Sequence, residues 1–320
     1  MLSFLPAPIT GALAFTLLVL NTLLWASLLF LFTFVKLLLP FTATRKRLDP
    51  ILTGIATLWI SGNTLWMRLT QKTQWEVSNT DNLHRQHWYL VVANHQSWVD
   101  IFVLQRALNR KVPMLKFFLK KELAKVPVMG QAWWALDFPF MSRHSKAYLK
   151  QHPEQAGKDL HATKKACQRF SLIPTSVMNF VEGTRYSDQK AARQGSPYRY
   201  LLKPKAGGLA FAVQVLGKQF NTAINITLIY PEGTPTFWEF LCGRVKKIVV
   251  QVKTTPIPVQ FVGKDYSQDN EHRINFQRWL SGMWAEKDRD IHQYRQTHQL
   301  PIKALPAPKN TPPVSKMPAE

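Results

Sequence analysis

The pattern of apolar and polar positions divides the chain into two unlike parts. Residues 1–35 carry no charged side chain, and residues 11–31 are dense in Leu, Phe, Ala, Val and Trp. About 20 apolar residues suffice to cross a bilayer, so this stretch predicts a membrane helix. Apolar residues then recur at helical spacing over residues 51–69, opposite a face of Thr, Ser and Asn. That pattern predicts an amphipathic helix in the membrane interface or against the first helix, or else an ordinary connecting helix.

From residue 74 onward, short β-branched runs alternate with helical patterns. Strands are predicted at residues 88–93, 176–181, 223–230 and 247–252, and helices at 98–108, 157–170, 207–216 and 271–296. This alternation predicts an α/β fold, a mixed sheet covered by helices and preceded by an N-terminal membrane helix. The predicted divisions are a membrane segment (1–45), an amphipathic helix (46–73), the α/β domain (74–300) and a Pro-rich disordered tail (301–320).

Charge and cysteine content narrow the classes of partner. The formal charge is +22, which favours a polyanionic partner: nucleic acid, an anionic membrane face or a phosphorylated small molecule. Cys167 and Cys242 are the only cysteines, and the nine histidines include no H-E-x-x-H pattern, so no metal site or disulfide framework is predicted. This cysteine usage fits a reducing compartment.

A candidate catalytic pair follows the apolar strand at 88–93. His95 and Asp100 come directly after Asn94, where a strand-to-helix turn lets the Asp side chain reach back to the imidazole ring. A histidine held by a carboxylate can act as a general base. A spacing of five also occurs in structural pairs and helix caps, so the motif alone leaves both interpretations open.

A second motif follows the strand at 176–181. Gly183 permits a tight turn, and the hydroxyl of Thr184 and the guanidinium of Arg185 can bind an anionic oxygen. Glu182 precedes them and is suited to orienting the arginine. A plain turn with a surface ion pair is the alternative.

Taken together, the two motifs resemble blocks of the glycerolipid acyltransferases, the 1-acylglycerol-3-phosphate acyltransferases and their relatives. Residues 94–100 resemble the family's N-H-x4-D block and residues 182–185 its E-G-T-R block, while 121–143, 203–207 and 226–231 resemble intervening and later blocks. The resemblance implies a substrate site; its residues are His95 and Asp100 for catalysis and Arg143, Glu182, Gly183, Thr184, Arg185 and Lys205 for binding. Val181 departs from the proline that commonly precedes E-G-T-R, and residues 229–231 match the last block loosely.

The resemblance implies acyl transfer to a lysophospholipid. The donor is an acyl thioester, acyl-CoA or acyl carrier protein, with no further cofactor; the acceptor is most simply 1-acyl-sn-glycerol 3-phosphate, which gives phosphatidic acid. In this scheme His95 removes the acceptor's hydroxyl proton and Asp100 stabilises the imidazolium, while Arg143 and Arg185 hold the phosphate. The implied partners are a phospholipid membrane and these substrates, without nucleic acid.

The expected location is a bacterial inner (cytoplasmic) membrane. Residues 135–141 and 217–220 resemble the bacterial inner-membrane branch of the family. Lysine and arginine follow the apolar segment at 36 and 45–47, which predicts a cytoplasmic catalytic domain if the segment spans. No basic n-region or short apolar core indicates a cleaved signal peptide, so the segment is expected to be retained. A shallow insertion that does not span is the alternative.

Other functions remain to be weighed against this one. Within the chemistry, the acceptor can be another lysophospholipid with a larger headgroup; a lipid A acyltransferase is more distant. From other classes, the charge is compatible with a non-catalytic, membrane-tethered binding protein or a nucleic-acid binder, although no nucleic-acid motif is present. Residues 110–125 mix basic and apolar side chains, which predicts either a surface that contacts lipid headgroups or the acyl donor, or a solvated helix face. Residues 126–135 are almost uniformly apolar and are predicted to lie in the core or in the wall of an acyl channel.

Overall fold

A six-stranded sheet forms the centre of the α/β part of the chain. The structure, a computed structural model, describes residues 4–39, 41–141, 173–266 and 269–305. The strands of this sheet are β1 Gln74–Ser78, β2 Tyr89–Ala93, β3 Leu115–Phe117, β6 Ser176–Asn179, β7 Thr222–Ile229 and β8 Lys247–Thr255. They lie in the order β1-β8-β7-β2-β6-β3, and every neighbouring pair is parallel except β7 with β8. The prediction of a mixed α/β sheet is confirmed.

Helices precede, connect and cover the strands. They are α1 Ala7–Leu38, α2 Thr42–Thr70, α3 Val99–Leu108, α4 Met129–Ala135, α5 Asp188–Gln194, α6 Gly207–Leu216, α7 Phe237–Leu241 and α8 Asn270–Thr297. The four predicted strands and the helices predicted at 98–108, 207–216 and 271–296 are present, with ends shifted by at most three residues. The helix predicted at 157–170 and residues 306–320 of the predicted tail lie outside the described residues.

Several boundaries differ from the predictions. The strand predicted to end at Val181 ends at Asn179, because a turn closed by the hydrogen bond from Gly183 N to Phe180 O (2.9 Å) begins there. Helix α2 begins at Thr42, so the predicted boundary between residues 45 and 46 falls inside a helix. Four strands were not predicted from the sequence: β1, β3 and the short parallel pair β4 Leu119–Lys120 and β5 Phe140–Met141.

Edge strand β3 changes the interpretation of the basic stretch at 110–125. Lys116 is only 4% exposed there, so it does not belong to a charged outer surface. Burial lowers the pKa of the Lys116 ammonium to about 8, opposed by the charges of Asp137 and Asp49. The predictions of a solvated helix face and of a lipid-facing surface therefore do not hold at this position.

The sheet separates two apolar layers. Along β2, Leu90 and Val92 face α6 and α8, whereas Tyr89, Val91 and Ala93 face α3 and the end of α2. Successive side chains of a strand point to opposite faces, and all five of these residues are buried, as a strand covered on both faces requires. The carboxyl end of β2 is thereby held rigidly at the centre of the sheet.

Helices α1 and α2 form an antiparallel hairpin with a polar seam. The Asn21 side-chain amide donates to Asn63 Oδ1 and to Trp59 O, both at 2.9 Å, and Trp59 Nε1 donates to Thr22 Oγ1 at 3.1 Å. Gly62 lies against Asn21 so closely that an added Cβ would stand 2.0 Å from Asn21 Oδ1. The absence of a side chain at residue 62 therefore lets the two helices approach.

Helix α1 is attached to the α/β domain near both of its ends. Near its start, a Cβ added to Gly11 would stand 2.6 Å from Cys242 Sγ. Near its end, Lys36 Nζ pairs with Asp137 (2.9 Å) and with Asp49 of α2 (2.8 Å). With 32 residues, α1 is long and apolar enough to cross a membrane, and it is the candidate membrane helix of the described chain.

Candidate active site

His95 and Asp100 are in direct contact at the carboxyl end of β2. His95 Nδ1 lies 2.8 Å from Asp100 Oδ2, and the same oxygen accepts the backbone N–H groups of Gln96 (2.6 Å) and Ser97 (2.9 Å). Asp100 stands in the first turn of α3, so it caps the turn before the helix while it holds the ring. The predicted strand, turn and helix arrangement around this pair is confirmed as geometry.

Asp100 has a fourth hydrogen-bond donor, which was not predicted from the sequence. The hydroxyl of Tyr230, directly after β7, donates to Asp100 Oδ1 at 2.6 Å. Burial raises the pKa of the Tyr230 phenol well above its usual range, with the Asp100 charge adding to the effect. Tyr230 therefore remains a donor at physiological pH. Its place in the loosely matching block at 226–231 was the available signal.

The end of β2 is tied to β7 by Asn94. Its side-chain amide donates to Leu228 O (2.9 Å), and its side-chain oxygen accepts from Leu228 N (2.8 Å). Asn94 itself is fully buried. This pair of bonds fixes the backbone on which His95 stands, a role that the motif alone did not reveal.

These contacts determine which nitrogen of His95 faces outward. A carboxylate only accepts hydrogen bonds, so Nδ1 carries a proton, and in the neutral ring Nε2 has the lone pair. The ring stacks on Phe180, with centroids 4.0 Å apart and planes 17° apart. Since the side chain is 15% exposed, Nε2 is held in one orientation yet accessible, which suits a general base.

An apolar cavity of about 570 Å³ adjoins His95. It lies between the α1–α2 hairpin and the α/β domain, and its walls include residues from α1, α2, α3 and α4. Residues 127–129, 132 and 133 belong to the wall, in agreement with the interpretation of 126–135 as a channel wall. The cavity is of the size that ligand sites occupy and is apolar enough to take a hydrocarbon chain.

The second motif forms a loop beside His95. Gly183 has φ +70°, a conformation that favours glycine, and Tyr186 N donates to His95 O at 2.7 Å. The guanidinium of Arg185 lies over the Trp98 ring, 4.9 Å from its centroid. The Lys205 side chain crosses the loop, and its Nζ lies 3.3 Å from where a Cβ added to Gly183 would stand. The structure thus brings Gly183, Thr184, Arg185 and Lys205 together next to the His–Asp pair.

Glu182 lies beneath this loop. Its side chain is fully buried, and burial raises the pKa of the carboxyl well above its usual range, opposed by the backbone amides of Leu202 and His95 and by the Lys287 charge. The carboxyl therefore lies close to the backbone amides of His95 and Leu202. The sequence suggested that Glu182 orients Arg185, and the resemblance implied a role in binding. The Glu182 carboxyl does not pair with Arg185 in the part of the chain described.

Two remaining sequence predictions concern Arg143 and metal binding. Arg143 lies outside the described residues, so its place relative to the site is not given. Among the residues that the structure describes, no group of three or more His, Cys, Asp or Glu side chains is arranged to hold a metal ion.

The chain is similar to known acyltransferases. A model of the family described as Acyltransferase matches residues 74–229. The chain is 27% identical over 241 residues to an uncharacterised acyltransferase of Saccharomyces cerevisiae, covering 66% of this chain and 60% of that protein. It is 25% identical over 242 residues to human 1-acyl-sn-glycerol-3-phosphate acyltransferase delta, covering 69% of this chain and 56% of that protein. It is 26% identical over 246 residues to the 2-acyl-1-lysophosphatidylinositol acyltransferase of S. cerevisiae, covering 65% of this chain and 62% of that protein.

The matched regions therefore span 56–62% of the length of these curated relatives. Among solved structures, the 1-acyl-sn-glycerophosphate (LPA) acyltransferase of Thermotoga maritima aligns with a TM-score of 0.46 and 17% identity, covering 87% of this chain and 98% of that one. The three curated relatives are eukaryotic, so the bacterial inner-membrane branch stays a prediction.

Proposed function

Because residues 74–229 match the model of the acyltransferase family, we propose that this protein transfers a fatty acyl group from an acyl thioester to the free hydroxyl of a lysophospholipid. The preferred acceptor in this proposal is 1-acyl-sn-glycerol 3-phosphate, which yields phosphatidic acid. One observation carries the proposal. A histidine–aspartate pair adjoins an apolar cavity of about 570 Å³ and a cationic loop, which supports a base, a chain site and a phosphate site at one point.

The proposed reaction uses His95 as general base. Nε2 takes the proton of the acceptor hydroxyl while that oxygen attacks the thioester carbonyl carbon. The tetrahedral intermediate then expels the thiolate, which receives the proton from the imidazolium and leaves as the thiol. Asp100 stabilises the imidazolium across the 2.8 Å contact, and no acyl-enzyme forms, because the substrate oxygen is itself the nucleophile.

The cationic loop is the proposed site for the acceptor's phosphate. Arg185 and Lys205 supply charge, Thr184 supplies a hydroxyl, and Gly183 leaves room for the backbone to approach an anion. Binding the phosphate here would hold the glycerol hydroxyl near His95, and such positioning lowers a barrier strongly. Arg143 is proposed as a further phosphate ligand on the resemblance alone.

The hairpin is the proposed membrane-binding element, and it need not span the bilayer. At 1.5 Å per residue, α1 is about 48 Å long, whereas the hydrocarbon core is about 30 Å thick. Since α1 contacts the α/β domain near both Gly11 and Lys36, a perpendicular helix would draw that domain into the lipid. We therefore favour the shallow insertion, with the exposed leucines and phenylalanines of α1 in one leaflet. An acyl chain could then enter the cavity directly from the membrane.

A second acceptor class has a specific observation in its favour. One relative is named for 2-acyl-1-lysophosphatidylinositol, and this chain resembles it about as closely as it resembles the human protein named for 1-acyl-sn-glycerol 3-phosphate. Acceptors with a larger headgroup on the phosphate are therefore the alternative substrates to assay. Acyl-CoA and acyl carrier protein are both retained as proposed donors.

The test is thiol release by the purified protein in detergent with oleoyl-CoA or oleoyl-acyl carrier protein and a panel of lysophospholipids. We expect release that depends on the acceptor and falls at least 10³-fold in His95→Ala, since general bases contribute about 10²–10⁴-fold. His84→Ala is the matched control, because His84 is exposed and does not line the cavity. Wild-type rates in His95→Ala would disprove its role as the base. The absence of acceptor-dependent release in the wild type would disprove the enzyme and leave the non-catalytic binding protein.

A further inference from the structure

Lys190 is a cation that neither motif includes, yet it lies on the proposed phosphate loop. It belongs to the first turn of α5, whose N-cap Ser187 accepts the Lys190 backbone N–H at 3.3 Å. Side chains of a helix lean toward its N-terminus, so Lys190 extends back over the loop that precedes α5. Its Nζ donates to Thr184 Oγ1 (3.0 Å) and to Arg185 O (2.9 Å).

The first of these bonds fixes the direction of the Thr184 hydroxyl. An ammonium group has three N–H donors and no acceptor, so Thr184 Oγ1 can only accept from Lys190. The hydroxyl hydrogen of Thr184 must then be given to a different partner. Within the described part of the chain, no acceptor for that hydrogen is present, so it is available to an incoming anion.

The positive charges around the loop also indicate an anionic ligand. The loop that contains Arg185 is contacted by two further cations, Lys190 and Lys205. None of the three side chains pairs with a carboxylate among the residues that the structure describes. Of the two acids next to the loop along the chain, Glu182 is buried beneath it, and Asp188 is engaged by Lys303 and by the Tyr186 hydroxyl. Three unneutralised cations beside one free hydroxyl hydrogen fit a phosphate group.

We propose that Lys190 is a binding and positioning residue for the acceptor's phosphate, which supplies a third positive charge and turns the Thr184 hydroxyl hydrogen toward a phosphate oxygen. This inference rests on the proposed function and assigns a new residue to its acceptor site. The loss of Lys190 should therefore weaken acceptor binding and leave the chemical step at His95 intact. A purely structural lysine would affect donor and acceptor alike.

The first experiment separates acceptor binding from chemistry. With 1-oleoyl-sn-glycerol 3-phosphate as acceptor, we expect Lys190→Met to raise the acceptor KM about 10- to 100-fold, the range for loss of a charged hydrogen bond. The kcat and the donor KM should stay within about twofold. Arg193→Met is the matched control, since Arg193 is exposed on the same helix and removes the same charge. An acceptor KM unchanged in Lys190→Met would overturn the proposal, as would an equal effect in the control.

A double-mutant cycle tests the orientation of Thr184. If Lys190 acts partly through that hydroxyl, the effects of Lys190→Met and Thr184→Val on the acceptor KM should be less than additive. Lys190→Gln keeps an N–H donor for Thr184 and removes only the charge, so its KM should lie between those of wild type and Lys190→Met. Fully additive effects would overturn the orienting role.

A binding measurement distinguishes this proposal from the proposed function itself. Titration of 1-oleoyl-sn-glycerol 3-phosphate into detergent-solubilised His95→Ala should give a dissociation constant that Lys190→Met raises by the same factor as the KM. If wild type acylates no lysophospholipid at all, the proposed function fails and this inference fails with it. If wild type acylates the acceptor and Lys190→Met binds it normally, only the role of Lys190 is overturned.

Discussion

Replacement of Asp100 by asparagine isolates the charge of the catalytic pair from its geometry. In the native site, Oδ2 accepts His95 Nδ1–H and two backbone N–H groups, whereas Oδ1 accepts the Tyr230 hydroxyl. An asparagine with its amide oxygen at the Oδ2 position keeps the first three bonds. Its NH₂ group then faces Tyr230, whose hydroxyl can rotate to accept. The His95 tautomer is therefore expected to survive the substitution.

The expected loss of activity follows from the charge alone. A carboxylate and an imidazolium whose charge centres are about 4 Å apart attract each other by about 4 kcal/mol at an effective dielectric constant of 20. This energy corresponds to about 10³-fold in rate. His95 is partly exposed, so we expect kcat to fall by 10²- to 10³-fold in Asp100→Asn. A structural pair without a catalytic role would give a change of less than a few fold.

Steady-state thiol release over a range of pH is the assay. We expect unchanged acceptor and donor KM values and a melting temperature lowered by only a few degrees, because three of the four hydrogen bonds persist. A kcat within threefold of wild type would refute imidazolium stabilisation by Asp100. A large rise in both KM values together with a collapse of the melting temperature would refute the argument that the geometry is preserved.

Two further predictions follow from the same contacts. Tyr230→Phe should lower the free energy of unfolding by about 1.5–3 kcal/mol, the range for a hydrogen bond to a charged group. Since the folded-state pKa of Tyr230 is raised, this contribution is complete below the unfolded value of about 10 and is lost as pH rises above it, so thermal melts of the two proteins should converge at alkaline pH. For the hairpin, Ile9→Cys and Ala43→Cys in sealed vesicles should both react with a membrane-impermeant maleimide from the same side, with the parent protein as control. Protection of one of them would instead support a spanning α1.

The strand and helix pattern around the site was predictable because it depends on short-range periodicity. A buried strand of five residues, a polar turn and the first turn of α3 follow one another directly, so the contact between His95 and Asp100 is local. The loop around Gly183 is equally local, since it follows the end of β6. Edge strands β1 and β3 escaped prediction because they have only five and three residues, and each includes a charged residue.

Contacts between distant segments could not be predicted. Tyr230 lies 130 residues from Asp100 along the chain, and Lys36 lies 101 residues from Asp137. Nothing in local composition states that such residues meet. For Glu182, the motif suggested an orienting contact with Arg185 and the resemblance implied a role in binding. Only the packing of the layers shows that its side chain is buried.

The sequence by itself determined the α/β class, the pairing of His95 with Asp100 and the glycine turn of the second motif, because each depends on neighbours within a few residues. The tertiary structure decided what surrounds them: the Tyr230 hydroxyl behind Asp100, the cavity between the hairpin and the domain, and the attachment of α1 near both ends. These features depend on how the sheet and the hairpin close against each other. A cavity in particular is formed by side chains from separate elements, so no single stretch of sequence encodes it.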